Sequence, residues 1–428
     1  MVTPVKENVE ISDLIRAIEK GTLIISLSSL TSPSAKAYVL AQLRSQTGKS
    51  FVVVTDSNKD LGAFECDLEF WLNTPSRGNE PDTDSAFRIP HSAIVSLPSF
   101  ETDPYSGVSP HAETQERRAM TLWRLVREEP AFLIVSAKAL VTRTILPDVI
   151  SSLGAVLKRE EDFSPNELIE RLVSAGYVRE DPLNNFGQFS VRGGILDVWS
   201  PDMGNPVRIE FFGDTVDSIR EFDPETQLST LQLNEIAIAP MREFAVSPQD
   251  MKDWAFFARE RFSDERFARN LKDRTDFADE GETFSGWEFL LPLSKARNAT
   301  VFNYLKDPIF VIDEPPLIEQ TLSVLYDQLQ SHYEQTTAAG DIGLEPAELF
   351  LDAAELREKL APRRRVELRA LGRTAAETDE EFQLDHVTTN ENNADSATAP
   401  LFLFSTAEKS ATGSRLLSSA QHSTNSAR

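Results

Sequence analysis

Along the first third of the chain, apolar runs of four or five residues alternate with longer stretches in which apolar positions recur every three or four residues. The runs predict strands at 23–27, 51–55, 93–97 and 132–135, and the longer stretches predict helices at 35–46, 58–72, 112–128 and 139–146. Strand followed by helix, repeated in this way, implies an α/β body: a mostly parallel sheet covered by helices.

A different pattern holds from 186 to 223, FGQFSVRGGILDVWSPDMGNPVRIEFFGDTVDSIREFD. Phe189 and Val191 alternate with Ser190 and Arg192, Gly193-Gly194 breaks the run, Ile195 to Trp199 resumes it, and turn residues from Ser200 to Pro206 precede Val207 to Phe212. Four short strands in a meander are predicted. In the third, the side-chain period of two puts Val207, Ile209 and Phe211 on one face and Arg208, Glu210 and Phe212 on the other. If the second face is open, Phe212 beside Arg208 has the composition of a protein-interface hot spot. The same alternation fits a strand buried on both sides, with Arg208 and Glu210 paired within the sheet.

Before the meander, EDFSPNELIERLVSAG predicts a helix with Ser164 as N-cap, Pro165 at the first position and Glu167 closing a capping box. After it, Ser247-Pro248 starts a helical pattern through Lys272, whose Phe256, Phe257, Phe262 and Phe267 at helical spacing predict a core face. Further on, the apolar run ending at Asp313-Glu314 is a strand, 320–335 and 346–360 are helices, and Arg363-Arg364-Arg365 is a solvated lead into the strand VELRAL. These patterns divide the chain into a first part of the body, 1–159, an inserted β-rich (α+β) domain, 160–246, and a second part of the body, 247–420. Residues 374–400 are polar and acidic enough for a mobile connector, and 421–428 for a disordered tail.

The chain has 43 basic and 68 acidic residues, a net charge of −25, which argues against wrapping nucleic acid by neutralising its phosphates. Partners are expected to be proteins, with no strong binding to DNA. The one cysteine, Cys66, excludes an internal disulfide framework and suits a reducing, cytoplasmic setting. No signal peptide or membrane span is visible. His91 and His111 stand alone, without a second ligand at metal spacing, and Tyr105 is read as a packed loop aromatic because the charge around it is not basic. Gly48-Lys49-Ser50 spells the end of a phosphate-loop motif, but it follows a helix and precedes a strand, the reverse of the required order. Gly48 therefore reads as a helix C-cap.

GQFSVRGGILDVWSP, followed by PVRIEFFGDTVDSIREFDPETQLS, resembles the UvrA-interaction domain shared by the UvrB subunit and the transcription-repair coupling factor, Mfd. The likeness runs back to LVSAGYVREDPL and forward to Ala239-Pro240. LPSFETDPYSGVSPHAETQERRAMTLWRL, GWEFLLPL, NYLKDPIFVIDEP and PLFLFSTAEKSATGSRLLSSA resemble the UvrB-like module at the amino-terminal end of the coupling factor. The resemblance implies a RecA/helicase-like body carrying the inserted sheet. It also places the UvrA contact on two arginines and a phenylalanine, which fall on Arg192 in SVRGG and on Arg208 and Phe212 in VRIEFF.

The resemblance further implies a phosphate loop between the first strand and the helix that follows. Here Ser29 and Ser34 stand where the two glycines belong, Ala35 replaces the phosphate-binding lysine and Lys36 the magnesium-binding hydroxyl. Without those glycines the loop amides do not readily turn inward, and without the lysine no charge faces the phosphates. Lys36, one helical position on, points about 100° away. The loop is thus expected to be degenerate, as in the coupling factor and unlike UvrB, and Asp313-Glu314 becomes a pair of carboxylates capping a strand. No catalytic residue, cofactor or metal is expected. The implied function is an adaptor that docks UvrA to bring nucleotide excision repair to stalled RNA polymerase. In the family protein the polymerase is met by a further domain and DNA by an ATP-driven translocase, neither of which has a counterpart in this sequence. Two rival functions remain, a UvrB-like ATPase that handles damaged DNA and a free-standing competitor for UvrA.

Overall fold

A computed structural model describes residues 11–28, 30–73, 93–370 and the backbone of 388–389. The chain begins with α1 (Ile11–Glu19), β1 (Ile24–Ser28), α2 (Pro33–Thr47), β2 (Phe51–Thr55), α3 (Asn58–Asn73), β3 (Ile94–Leu97), α4 (Ala112–Arg127) and β4 (Phe132–Ser136). Every residue of β2 and β4 is buried, as expected of parallel strands covered on both faces. Alternate residues serve opposite layers. Val52, Val54, Leu133 and Val135 join one hydrophobic cluster, while Phe51, Val53, Phe132 and Ile134 join another.

Next come α5 (Ala137–Val141) and α6 (Pro147–Leu153). The predicted helix at 139–146 therefore stops early, because Thr142 and Thr144 are drawn into β-bridges with Phe350 and Ala299 and Pro147 opens a new helix.

The second sheet is reached through β5 (Ala155–Lys158), α7 (Pro165–Ser174) and β6 (Val178–Arg179). The chain continues through β7 (Gln188–Arg192), β8 (Ile195–Trp199), β9 (Val207–Phe212), β10 (Thr215–Phe222) and β11 (Ser229–Leu233), and leaves the sheet by β12 (Glu235–Ile238). Six strands lie in the order β11-β10-β9-β8-β7-β6, so the predicted meander is β7 to β10. All neighbours are antiparallel except β6 and β7. One face packs on α7, with Leu168 and Leu172 against Phe189, Leu196, Val198, Val207 and Ile209. Outgoing β5 and returning β12 pair antiparallel, from Ala155 with Ile238 to Lys158 with Glu235, so the two crossings form a ribbon.

Ser164 precedes α7 and Pro165 opens it, but the predicted capping box is not made. The Ser164 side chain makes no cap bond, and Glu167 instead pairs with Arg171 one turn on. A capping box forms elsewhere, between Ser247 and Asp250 at the start of α8 (Pro248–Arg261).

The helix predicted through Lys272 is broken. α9 (Ala268–Asp279) is separate, and the bend between it and α8 turns Phe262 and Phe267 inward. Phe256 and Phe257, predicted to be core, are exposed, because the buried stripe of α8 is Met251, Trp254, Ala255 and Ala258.

The remaining elements are α10 (Trp287–Leu290), β13 (Ile309–Asp313), α11 (Pro315–Ala338), α12 (Pro346–Leu349), α13 (Ala353–Leu360), β14 (Arg365–Arg369) and β15 (Thr388–Thr389). The helix predicted at 346–360 divides where Phe350 bridges Thr142. β13 and β14 return to the first sheet, whose seven strands run β15-β1-β14-β13-β2-β4-β3, parallel except for β15. One parallel sheet is thus assembled from strands on either side of the second sheet in sequence. Arg365, predicted to be solvated, is buried beside Glu367. Ser29, His91, the 374–400 connector apart from 388–389, and everything from 390 onward lie outside the described residues.

Candidate functional site

The face of the second sheet opposite α7 is polar, and its register brings charges into a row. Ser190 of β7 lies opposite Asp197 of β8, Asp197 opposite Arg208 of β9, and Arg208 opposite Arg220 of β10. Like charges directly opposite one another destabilise a sheet unless each has a counter-charge. Asp197 serves Arg208, and Glu210 serves Arg220 at 2.5 Å.

Asp197 is the hub of this face, only 2% exposed. Its Oδ1 accepts from Arg208 Nε at 2.7 Å, and its Oδ2 accepts from Arg208 Nη2 at 2.8 Å and from Arg192 Nη2 at 2.7 Å. Arg208 also donates to Gln227 Oε1 at 3.1 Å, and its guanidinium lies 4.5 Å over the buried ring of Phe222. The hydrogen bonds to Asp197 hold the Arg208 guanidinium above its ordinary pKa range.

Phe212 ends β9 just before Gly213, whose φ of +66° turns the chain into β10. Phe212 is 84% exposed and lies four residue steps along the strand, roughly 13 Å, from Arg208. An exposed large aromatic on the strand that carries a fixed arginine is the informative departure from ordinary burial. Of the two alternatives for β9, the open face holds at Phe212. In-sheet pairing holds for the charges, with Asp197 and Arg220 as partners rather than Arg208 with Glu210. Asp197 was missed from sequence; the available signal was an aspartate inside the apolar strand ILDVW, where that residue type is depleted unless it has a partner.

The start of α2 makes a second cluster. Pro33 takes the first position of α2 and contributes no N–H there. Trp71 Nε1 donates to both the carbonyl and the hydroxyl of Ser34 at 3.1 Å, and Ala35 packs against the hydrophobic cluster beneath it. Lys36 Nζ is buried between Asp313 Oδ1 at 2.6 Å and Glu314 Oε1 at 2.8 Å. Burial works against its charge, but the hydrogen bonds and charges of the two carboxylates outweigh it and hold Lys36 above the ordinary lysine range. Asp313 closes β13 and Glu314 follows it, so the two carboxylates stand at the strand end and there face Lys36. Glu314 makes no side-chain cap bond to α11; the two carboxylates clasp Lys36, and Glu314 also accepts from Ala370 N at 2.8 Å.

Elsewhere, Gly48 caps α2 at φ +65°, and the Tyr105 hydroxyl donates to Leu344 O at 2.8 Å, a packed loop aromatic whose pKa burial raises. His111 is exposed at the start of α4. Among the described residues, no three His, Cys, Asp or Glu side chains could hold a metal ion, and no helix is long and apolar enough to cross a membrane.

Comparison with known proteins shows what this chain resembles. Residues 156–244 match the UvrB interaction domain. The transcription-repair-coupling factor of Myxococcus xanthus is 30% identical over 76% of this chain and 27% of its own length. Those of Haemophilus influenzae and Staphylococcus aureus are 28% and 25% identical over 68% and 80% of this chain, and 26% and 28% of theirs. The chain spans about a quarter of the length of these curated relatives. It is thus similar to transcription-repair-coupling factors over most of its own length, and the sheet that carries Arg192, Arg208 and Phe212 lies within its UvrB interaction domain.

Proposed function

We propose that this chain is a docking module for the excision-repair protein UvrA, with residues 160–246 as the docking domain and 1–159 and 247–420 as the body that carries it. Phe212 fills an apolar pocket of the partner, and Arg192 and Arg208 meet carboxylates. The observation that carries this proposal is Phe212, 84% exposed on the strand that also presents Arg208, within a matched interaction domain. In a longer protein of the coupling-factor kind, such docking would bring repair to stalled RNA polymerase in the cytoplasm.

The ATPase alternative finds no support at the loop. The carboxylates that would hold magnesium hold Lys36, so the one lysine in the first turn of α2 is taken up, and Pro33 there has no N–H to offer phosphates. The body then serves as a scaffold, without nucleotide.

Titration of the chain with purified UvrA tests the docking function. Phe212→Ala should weaken binding by roughly 2 kcal/mol or more, the scale of an interface hot spot. Arg208→Glu should weaken it further, because a carboxylate would then face carboxylates. Unchanged affinity in folded variants overturns the proposal.

A further inference from the structure

We infer that Asp197 is the positioning residue of the docking face, holding Arg192 and Arg208 as one preformed fork whose remaining donors meet the partner's carboxylates. This rests on the docking function proposed above.

The two arginines come from strands on either side of β8, and Asp197 lies between them. Without it they would be two mobile cations facing one another across a strand. With it, three hydrogen bonds of 2.7 to 2.8 Å converge on one carboxylate. A long side chain that is already immobilised loses less rotamer freedom when it binds.

The arrangement also fixes what stays available. Among the described residues, Arg208 Nη1 donates to no acceptor, and Arg192 Nη1 lies 3.8 Å from Asp181, beyond hydrogen-bond range. A partner carboxylate cannot pull either arginine away cheaply, because the buried Asp197 would lose part of its hydrogen bonding and charge compensation. It must come to the donors that point outward. Asp181 and Asp197 balance the two guanidinium groups in charge, so what the fork offers a partner is its unused N–H donors, and an acidic patch is the surface that accepts from them.

The test uses the full chain and purified UvrA, with Asp197→Asn in three backgrounds: wild type, Arg192→Ala/Arg208→Ala, and Phe212→Ala. If Asp197 acts through the arginines, Asp197→Asn weakens binding about tenfold or more in wild type and in the Phe212→Ala chain. In the double-alanine chain, where nothing is left to position, it changes binding by no more than about twofold. An equal loss in all backgrounds means that Asp197 only supports the sheet, and overturns the inference.

A second readout is independent of UvrA. In the free protein the Arg208 Nε–H should give a distinct, slowly exchanging NMR signal that Asp197→Asn abolishes. If that signal survives unchanged, the inference fails whether or not UvrA binds. If wild type does not bind UvrA but the signal is lost, the docking function falls while the ordering of Arg208 by Asp197 stands. Asp197→Ala repeats both measurements without the hydrogen-bonding amide, and retained wild-type affinity in that variant also overturns the inference.

Discussion

Lys36 Nζ sits between Asp313 Oδ1 at 2.6 Å and Glu314 Oε1 at 2.8 Å, linking the start of α2 to the end of β13. Both acids lie at the carboxyl end of a parallel strand, where open α/β sheets bind ligands. A lysine clasped by two carboxylates fills that position with the protein's own charge. Glu314 adopts a left-handed φ of +53°, a conformation that costs a non-glycine residue energy and that the paired side chains help to hold.

Calorimetric titration of the chain with ATP and magnesium should therefore show no binding. Micromolar affinity that disappears in Lys36→Met would contradict this and revive an enzymatic function.

The same cluster sets a pH dependence. Lys36 is held above its ordinary value of 10.5, so the stability it contributes is fully present below the unfolded lysine pKa and is lost as pH rises through the raised folded value. Melting curves of wild type and Lys36→Met should differ most at about pH 8 and converge only after the pH has risen above 10.5 and through the raised folded value. A difference that stays constant over that range would show that the ammonium contributes no net stabilisation.

Much of this was legible in the sequence, for reasons that differ from element to element. Runs such as FVVVT at β2 can only be buried strands, and the glycines and turn residues between β7 and β10 leave little choice but a meander. Where the sequence misled, a contact that spacing alone does not select decided. Phe256 and Phe257 have helical spacing, but α8 buries a different arc. Glu167 has cap spacing behind Ser164, but Arg171 one turn away takes its carboxylate. Lys36 and Asp313 are 277 residues apart, and no local pattern pairs them. Phe212 and Arg208 were visible because one strand carries both, whereas Asp197 emerges only from the register of β8 on β9.

Phe212 and Phe222 provide an internal comparison within one hairpin. Phe212 is 84% exposed and Phe222 1% exposed under the Arg208 guanidinium. Phe212→Ala should leave stability within about 0.5 kcal/mol of wild type, as surface substitutions do. Phe222→Ala should cost about 3 to 5 kcal/mol, the usual range for a buried phenylalanine. Urea denaturation of both variants checks this, and equal losses would mean that the Phe212 ring is covered.

A loss as large should come from Glu243, which follows the returning strand β12. Its carboxylate accepts from Arg118 Nε at 2.7 Å and Nη2 at 3.2 Å and from the Thr144 hydroxyl, and both charged side chains are only 1% exposed. Arg118 belongs to α4 of the body; it also donates to Pro98 O at 2.7 Å and lies 4.2 Å over Phe100. Burial holds the neighbouring Arg297, which stacks 3.9 Å over Phe244, down to a pKa of about 10, so this interior already carries cationic charge against its preference. Glu243→Ala would strand Arg118 there without its carboxylate. Breaking one side of a buried pair costs about 3 to 5 kcal/mol, much of it the penalty of the orphaned partner. Glu243→Gln, which keeps the shape and loses the charge, should cost less. If the orphaned charge is the cause, Arg118→Met combined with Glu243→Leu should be more stable than the sum of the two single losses predicts. Chemical denaturation of the singles and the double decides it: strict additivity would mean that the two side chains contribute by packing alone, and that their charges do not tie the returning strand to α4.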